Sequence, residues 1–153
     1  MPIVRRVRVE ETPVLRTIRK DWVALEAERH PEDRIGISEQ GLDNLETRDR
    51  LGAVHPDLLT LVAERDGEIV GFADAEVIRG RGLPGHAAEI TDLYLAEGAG
   101  PEVAEALARK AVELLHKAGA RVIHHTEDAD RPEREPWESL GFVADTVRYA
   151  LYD

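Results

Sequence analysis

The residues with the clearest chemical potential form a short glycine-rich loop between a predicted strand and a predicted helix. Gly98, Ala99 and Gly100 interrupt an apolar run, and Pro101 then suits the first turn of a helix. Such a loop aims several free backbone N–H groups at one point, which favours an anionic ligand, phosphate above all. Glycine alone does not establish this site, because many strand–helix connections need one simply to turn.

A second group of residues with chemical potential surrounds the end of the next predicted strand: His124, His125, Glu127, Asp128 and Asp130. Histidine and carboxylate side chains are common metal ligands. Adjacent histidines on a strand point to opposite faces, however, so both cannot simply bind one ion, and no H-E-x-x-H spacing is present. We therefore expect no metal site and keep His125 as a residue that can face a substrate cleft.

Composition excludes several classes of function. The 153 residues contain no cysteine, so disulfides and thiol chemistry are excluded. The net charge of −11 repels nucleic acid and anionic membranes and would attract a cationic small molecule or a basic partner, although solubility is the simpler explanation. The apolar runs are too short to span a membrane, and the N-terminus lacks the apolar segment of a signal peptide. We expect a cytoplasmic protein that binds neither nucleic acid nor membrane.

Apolar periodicity predicts one domain over residues 1–153, with elements in the order β-α-α-β-β-β-α-β-α-β. Asp66-Gly67 is a strong hairpin signal, and Ser38 is a suitable helix cap. The predicted elements are strand 3–9, helix 11–28, helix 38–51, strands 58–64, 68–77 and 87–95, helix 103–117, strand 121–126, helix 133–140 and strand 142–152. A hairpin followed by a βαβ unit predicts a mixed sheet with helices on both faces.

This order and several local sequences resemble the GCN5-related N-acetyltransferase (GNAT) family. Residues 68–73, E-I-V-G-F-A, resemble the family's third strand, and residues 92–95, D-L-Y-L, resemble its fourth-strand D-L-Y-V. The loop and helix that follow resemble its R/Q-x-x-G-x-G/A segment, and residues 137–142, W-E-S-L-G-F, resemble its F-Y-x-x-x-G-F ending. The resemblance implies an α/β (α+β) single-domain fold with a mixed, mostly antiparallel sheet of six to seven strands.

The resemblance also implies acetyl-CoA as cosubstrate, held where the fourth and fifth strands separate. In the family, pantetheine bonds the fourth-strand backbone and the pyrophosphate rests on amides at the helix start. The residues implied are Leu93, Tyr94 and Leu95 for pantetheine, Ala99, Gly100, Pro101, Glu102, Val103 and Ala104 for pyrophosphate, and Asp130 and Trp137 at two further motif positions.

Four positions depart from the family motif. Ala99 stands where the motif has arginine or glutamine, and Glu102 where it has glycine. Asp130 replaces an asparagine, and Trp137 replaces the frequent tyrosine acid, whose proton an indole cannot supply at neutral pH. These departures motivate an alternative to an enzyme: a domain of this fold that has lost catalysis and serves as a binding or interaction module.

The resemblance implies direct acetyl transfer to a small, cationic amine. A fourth-strand carboxylate serves as base in the family, which points to Glu89, while Tyr94 either lines the pantetheine channel or donates a proton. Asp92 is expected to have a structural role. The acceptor pocket is expected at Glu28, His30 and Asp33, together with His125. Many family members dimerise, so a homodimer is compatible with the resemblance.

Overall fold

The sequence folds into one five-stranded sheet with helices on both faces. The structure is a computed structural model, and it describes residues 2–29, 38–79, 86–127, 135–145, 149 and 151. The strands are β1 Ile3–Arg6, β2 Leu58–Arg65, β3 Glu68–Ile78, β4 His86–Leu95 and β5 Ala120–His125. The helices are α1 Thr12–Arg29, α2 Glu39–Val54, α3 Pro101–Lys117 and α4 Glu135–Ser139, and a 3-10 turn, Val9–Glu11, precedes α1.

The strands lie in the order β1-β2-β3-β4-β5. The first four pair antiparallel, and β5 pairs parallel to β4 through the crossover helix α3. In the hairpin between β2 and β3, Asp66 and Gly67 both have positive φ, 51° and 81°, as a tight hairpin turn requires. The predicted hairpin and βαβ unit are confirmed.

Side-chain alternation divides the core into two clusters, one on each face of the sheet. The α3 face holds the larger cluster, built on Leu61, Ala73, Ile90, Leu107 and Leu115. The opposite face packs against α1 and α2 with a smaller apolar cluster: Val7, Leu15, Val62 and Phe72, with Ile18 and Trp22 beside them. This smaller apolar cluster leaves room on the α1/α2 face for polar side chains.

The register contains an irregularity in β4 that decides which residues face α1 and α2. Asp74 pairs with Asp92, whereas Ala75 pairs with Ile90, so Thr91 is an extra residue in β4. The Thr91 hydroxyl donates to the Asp74 carbonyl at 3.3 Å. Because of this bulge, Ile90 and Leu93 both belong to the α3-face core, and Asp92 points to the opposite face.

The described strands and helices match the predicted ones closely, with two differences. The first strand ends at Arg6 because Val9–Glu11 forms the 3-10 turn. The described residues contain five strands instead of the expected six to seven. Residues 142–145, at the start of the predicted last strand, form no strand. Residues 146–148, 150, 152 and 153 lie outside the described residues.

Helix α2 lies close against β2 at Gly52. A Cβ atom added there would lie 2.1 Å from the Thr60 hydroxyl oxygen and 2.9 Å from the Thr60 backbone nitrogen. We predict that Gly52→Ala lowers the free energy of unfolding by about 1–3 kcal/mol, since the backbone must move to admit the methyl group. Thermal and urea unfolding test this, with Asn44→Ala on an exposed position of α2 as the matched control. Equal stability of the two variants would contradict it.

Candidate functional site

The two parallel strands at the centre of the βαβ unit have unequal lengths. The last pair between β4 and β5 is Ile90 with His125, where β5 ends, while β4 continues to Leu95. The β4 backbone from Thr91 to Leu95 therefore has no β5 partner along this edge. Leu93 and Leu95 turn their side chains into the α3-face core, so the main chain of this segment is what remains for a ligand.

Several backbone amides of the loop between β4 and α3 donate hydrogen bonds within the loop itself. The Ala99 N–H donates to the Ala96 carbonyl at 3.0 Å, and the Val103 N–H donates to the Gly100 carbonyl at 3.3 Å. Pro101 has no N–H, and Ala99, Val103 and Ala104 are buried. Of the residues predicted to cradle a pyrophosphate, Gly100 has the backbone that only glycine adopts readily, with φ +88°.

The carboxylate of Glu102 lies over Gly100. A Cβ added to Gly100 would come within 2.5 Å of this carboxylate, which also accepts a hydrogen bond from its own backbone N–H. Arg65, at the end of β2, donates to Glu102 at 2.8 Å and to the Ala99 carbonyl at 3.0 Å. The backbone bond and Arg65 lower the pKa of Glu102. The start of α3 therefore accepts an anion, supplied here by the chain itself.

A buried network of charges occupies the α1/α2 face of the sheet. Arg19 of α1 is fully buried and forms paired hydrogen bonds with Asp49 of α2, at 2.6 and 2.8 Å, and with Asp74 of β3, at 2.6 and 2.7 Å. Its guanidinium also lies 4.4 Å from the Phe72 ring centroid. Arg48 of α2 adds a bond to Asp74 at 3.2 Å. The two carboxylates are thus neutralised by two guanidinium groups.

A third carboxyl group, Asp92, joins this network, and no cation among the described residues is paired with it alone. It is the cross-strand partner of Asp74 and hydrogen-bonds to the Asp74 carboxyl group. Burial, then the charge of Asp74 and this hydrogen bond, raise the pKa of Asp92 to about 6, and the charge of Arg19 acts in the opposite direction. Asp92 also lies at the start of the β4 segment that extends beyond β5. A carboxyl group in this state can accept a proton near neutral pH.

The two predicted catalytic residues lie on the same face of the sheet as Asp92. Tyr94 packs on Phe72, with 5.4 Å between ring centroids, and burial together with Asp21 raises the pKa of its phenol. Glu89 is partly exposed and pairs with Glu76 on one side and His124 on the other, at the end of β4 that is still bonded to β5. Of the three side chains, Asp92 and Tyr94 extend past the last β4–β5 pair.

His125 and Trp137 form a stacked pair on the α3 face, with ring centroids 3.8 Å apart. One ring nitrogen of His125 lies 2.8 Å from the Ile90 carbonyl oxygen and the other lies 2.6 Å from Glu127, which also accepts from the Trp137 indole. Both ring nitrogens thus have protein partners. His125 therefore lies apart from Asp92, on the other side of the sheet.

The remaining predicted acceptor residues, and the cofactor-motif residue Asp130, are only partly described. Glu28 lies exposed near the end of α1. His30, Asp33 and Asp130 lie outside the described residues, so their roles stay predictions. Within the described ranges, no group of three or more His, Asp or Glu side chains is arranged to hold a metal ion.

Sequence reasoning missed the charge network. Asp74 interrupts the apolar residues of β3, where an acidic residue is unusual. This interruption was the one feature of the sequence that could have indicated a buried carboxylate. Arg19 is one of three arginines of the first helix, and nothing in the sequence near it indicates that it is buried. Its burial depends on Asp49, 30 positions away, and on Asp74, 55 positions away. Only the fold brings them together.

Comparison with known proteins decides the family. The model of the acetyltransferase (GNAT) family matches residues 18–142, which is most of the chain.

The chain belongs to the GNAT acetyltransferase family.

Solved structures share the GNAT fold over nearly the whole chain. A probable acetyltransferase is 20% identical with a TM-score of 0.76, covering 97% of this chain and 96% of that one. An aminoglycoside acetyltransferase from an uncultured soil metagenomic sample, in complex with sisomicin, is 15% identical with a TM-score of 0.73 (99% and 95%). A transcriptional regulator from Bacillus halodurans C-125 is 18% identical with a TM-score of 0.73 (99% of each chain). Identities this low establish the fold alone. No curated protein matches the sequence.

None of the GNAT domain's described helices is both long and apolar enough to cross a membrane.

Proposed function

We propose that this GNAT protein is an acetyl-CoA-dependent N-acetyltransferase that transfers the acetyl group directly to a small cationic amine, with Asp92 as the base. The observation that carries the proposal is the position of Asp92: a proton-accepting carboxyl at the point where β4 extends beyond β5. Membership of the family supplies acetyl-CoA as the expected donor.

Two parts of the structure fit acetyl-CoA: the β4 backbone beyond the end of β5, and the start of α3. The free backbone edge of Leu93, Tyr94 and Leu95 would hold the amides of the pantetheine arm. The start of α3, which already accepts the Glu102 carboxylate, and Arg65 beside it would hold the pyrophosphate. When bound, the cosubstrate supplies a thioester acetyl group.

Asp92 and Tyr94 have complementary proton chemistry in this proposal. As the C–N bond forms and the C–S bond breaks, Asp92 accepts the proton of the amine. The raised pKa keeps the Tyr94 phenol protonated at neutral pH, so its hydroxyl can donate a proton to the departing sulfur. Tyr94 would thus do the work for which Trp137 is unsuited. Glu89, two register positions before Asp92 on the same face, would assist in binding the cation.

Charge supports a cationic acceptor. The chain carries a net charge of −11, and on the α1/α2 face no cation of the described ranges is paired with Asp92 alone. The solved neighbours include an aminoglycoside acetyltransferase bound to sisomicin, so aminoglycosides belong among the acceptors to be tested.

Calorimetric titration with acetyl-CoA, compared with CoA and buffer, tests the donor. We expect saturable, micromolar binding that is abolished by Gly100→Trp, because a side chain at Gly100 would enter the space over the start of α3. Thermal unfolding of the variant checks that it remains folded. Failure of the wild type to bind acetyl-CoA at millimolar concentration would contradict the proposal.

If acetyl-CoA binds as proposed, the Glu102 carboxylate competes with the pyrophosphate for the start of α3. We predict that Glu102→Gln, which removes the negative charge, tightens acetyl-CoA binding several-fold, and that Arg65→Met weakens it by a similar factor. Acetylpantetheine, which lacks the pyrophosphate, is the matched control: its affinity should be the same in all three proteins. Unchanged or weaker acetyl-CoA binding by Glu102→Gln would contradict the prediction.

A second function has specific support. The Glu102 carboxylate already fills the anion-accepting start of α3, and the motif arginine is replaced by buried Ala99. These features favour a domain that retains the fold as a binding or interaction module. Acetylation of any amine that is lost in the Asp92→Asn variant would exclude it.

A further inference from the structure

We propose that Arg19 and Asp74 are positioning residues of this site, which hold the Asp92 carboxyl in place and control when it releases its proton. Neither residue touches the free edge of β4, so each acts through Asp92. The inference rests on the proposed function for its catalytic meaning, but the coupling of the three side chains is a property of the fold itself.

The geometry gives Asp74 two roles toward Asp92. The two residues face each other across β3 and β4, beside the Thr91 bulge, and their carboxyl groups share a hydrogen bond. One of the two carboxyls must carry the proton of that bond. Asp74 also receives two bonds from Arg19 and one from Arg48. The proton therefore resides on Asp92.

Arg19 is fixed so firmly that its charge cannot move away from the pair. Its side chain is fully buried, four hydrogen bonds hold its guanidinium between α2 and β3, and the Phe72 ring lies beneath it. A buried charge is poorly screened, so Arg19 acts strongly on every carboxyl near it. Its attraction favours the ionised form of Asp92, whereas Asp74 favours the protonated form.

Charged and titratable groups face Asp92 from each element packed against it in the described structure. They are Asp74 and Glu76 on β3, Glu89 on β4 itself, Arg19 on α1, with Asp21 near Tyr94, and Arg48 and Asp49 on α2. The guanidinium groups of Arg19 and Arg48 pair with the carboxylates of Asp49 and Asp74 within this set. In the described part of the chain neither guanidinium is paired with Asp92 directly, so the Asp92 carboxyl can meet an incoming cation.

This arrangement predicts opposite effects from two substitutions that break the same ion pair. Asp74→Asn removes the negative charge beside Asp92, so Asp92 should ionise at a pH lower by about 1 unit. Arg19→Met removes the positive charge and should move the titration up by about 1 unit. If the network only stabilised the fold, both variants would be less stable, but the titration of Asp92 would not move in opposite directions in the two.

The test is a carboxyl carbon NMR titration of aspartate-labelled protein, with the Asp92 signal assigned by its loss in Asp92→Asn. Asp49→Asn is the matched control, since it removes a buried partner of Arg19 that does not contact Asp92, and its shift should be the smallest. If Arg19→Met does not fold, Arg48→Met replaces it: this side chain is 25% exposed and bonds the same Asp74 carboxyl, so its loss should also move the titration upward.

Opposite shifts in Asp74→Asn and in the arginine variant support the proposal. Shifts in the same direction, or none, overturn it. The pH dependence of kcat/KM for acetyl transfer is measured in parallel and should move with the NMR titration. If the NMR titrations move in opposite directions but the protein acetylates no amine, the coupling of Asp92 to Asp74 and Arg19 is supported and the proposed function is contradicted. The experiment therefore tests the two hypotheses separately.

Discussion

Asp92→Asn is expected to lower kcat/KM for amine acetylation by about 10²- to 10⁴-fold, the range that a positioned general base contributes. The substitution keeps the shape of the side chain and removes its ability to accept a proton. In the wild type, kcat/KM should also fall as the pH decreases below about 6, because Asp92 becomes protonated there. In the Asp92→Asn variant, kcat/KM should not show this decrease at low pH. Steady-state kinetics between pH 5 and 8 measure both effects.

Stability provides the control for Asp92→Asn. A folded-state pKa raised above the ordinary aspartate value means that ionisation of Asp92 disfavours the fold. This group's contribution to stability is greatest below its unfolded pKa and is lost as the pH rises through about 6. Asparagine resembles the neutral acid, so the variant should unfold at an equal or higher temperature at pH 7. Glu89→Gln is the activity control, with a smaller loss expected; a larger loss there than in Asp92→Asn would identify Glu89 as the base.

Arg19→Met should be the most destabilising single substitution among the charged residues of α1. It leaves Asp49 and Asp74 buried without their counter-ion, and removing one partner of a buried ion pair costs about 3–5 kcal/mol. This is a large share of the stability of a domain of this size. The chain should therefore unfold at markedly lower urea concentration, and acid should partly restore stability by neutralising the two carboxylates.

Arg16→Met, on the same helix, is the matched control for Arg19→Met. Arg16 pairs with three carboxylates, one more than Arg19, but the first two of its partners, Glu39, Asp43 and Glu46, are largely exposed. Exposed ion pairs contribute little, so this variant should retain most of the wild-type stability. Equal losses in the two variants would mean that burial is not what makes the Arg19 network important.

Much of the fold could be predicted because local patterns agreed with it. The Asp66-Gly67 turn, the Ser38 cap, whose hydroxyl accepts from Gly41, and the apolar face of α3 each specify an element without reference to distant residues. The end of β1 was less predictable, because Val9 continues the apolar alternation but belongs to the 3-10 turn.

The candidate site was predicted only in part, because its chemistry depends on long-range contacts. The glycine-rich loop is a local feature, and its position at the start of α3 followed from sequence. The face on which Asp92 lies depends on the Thr91 bulge, which alternation alone does not reveal. The ring stacked on His125 likewise belongs to Trp137 of α4, a contact that no local sequence pattern indicates.

Acetyl transfer itself tests the proposed function of the GNAT protein directly. Wild-type protein and Asp92→Asn are incubated with acetyl-CoA and a panel of amines that includes polyamines, aminoglycosides and neutral amines, and products are identified by mass spectrometry. We expect acetylation of a cationic amine by the wild type and a loss of at least about 100-fold in the variant. Absence of transfer to every amine, or equal transfer by both proteins, would contradict it.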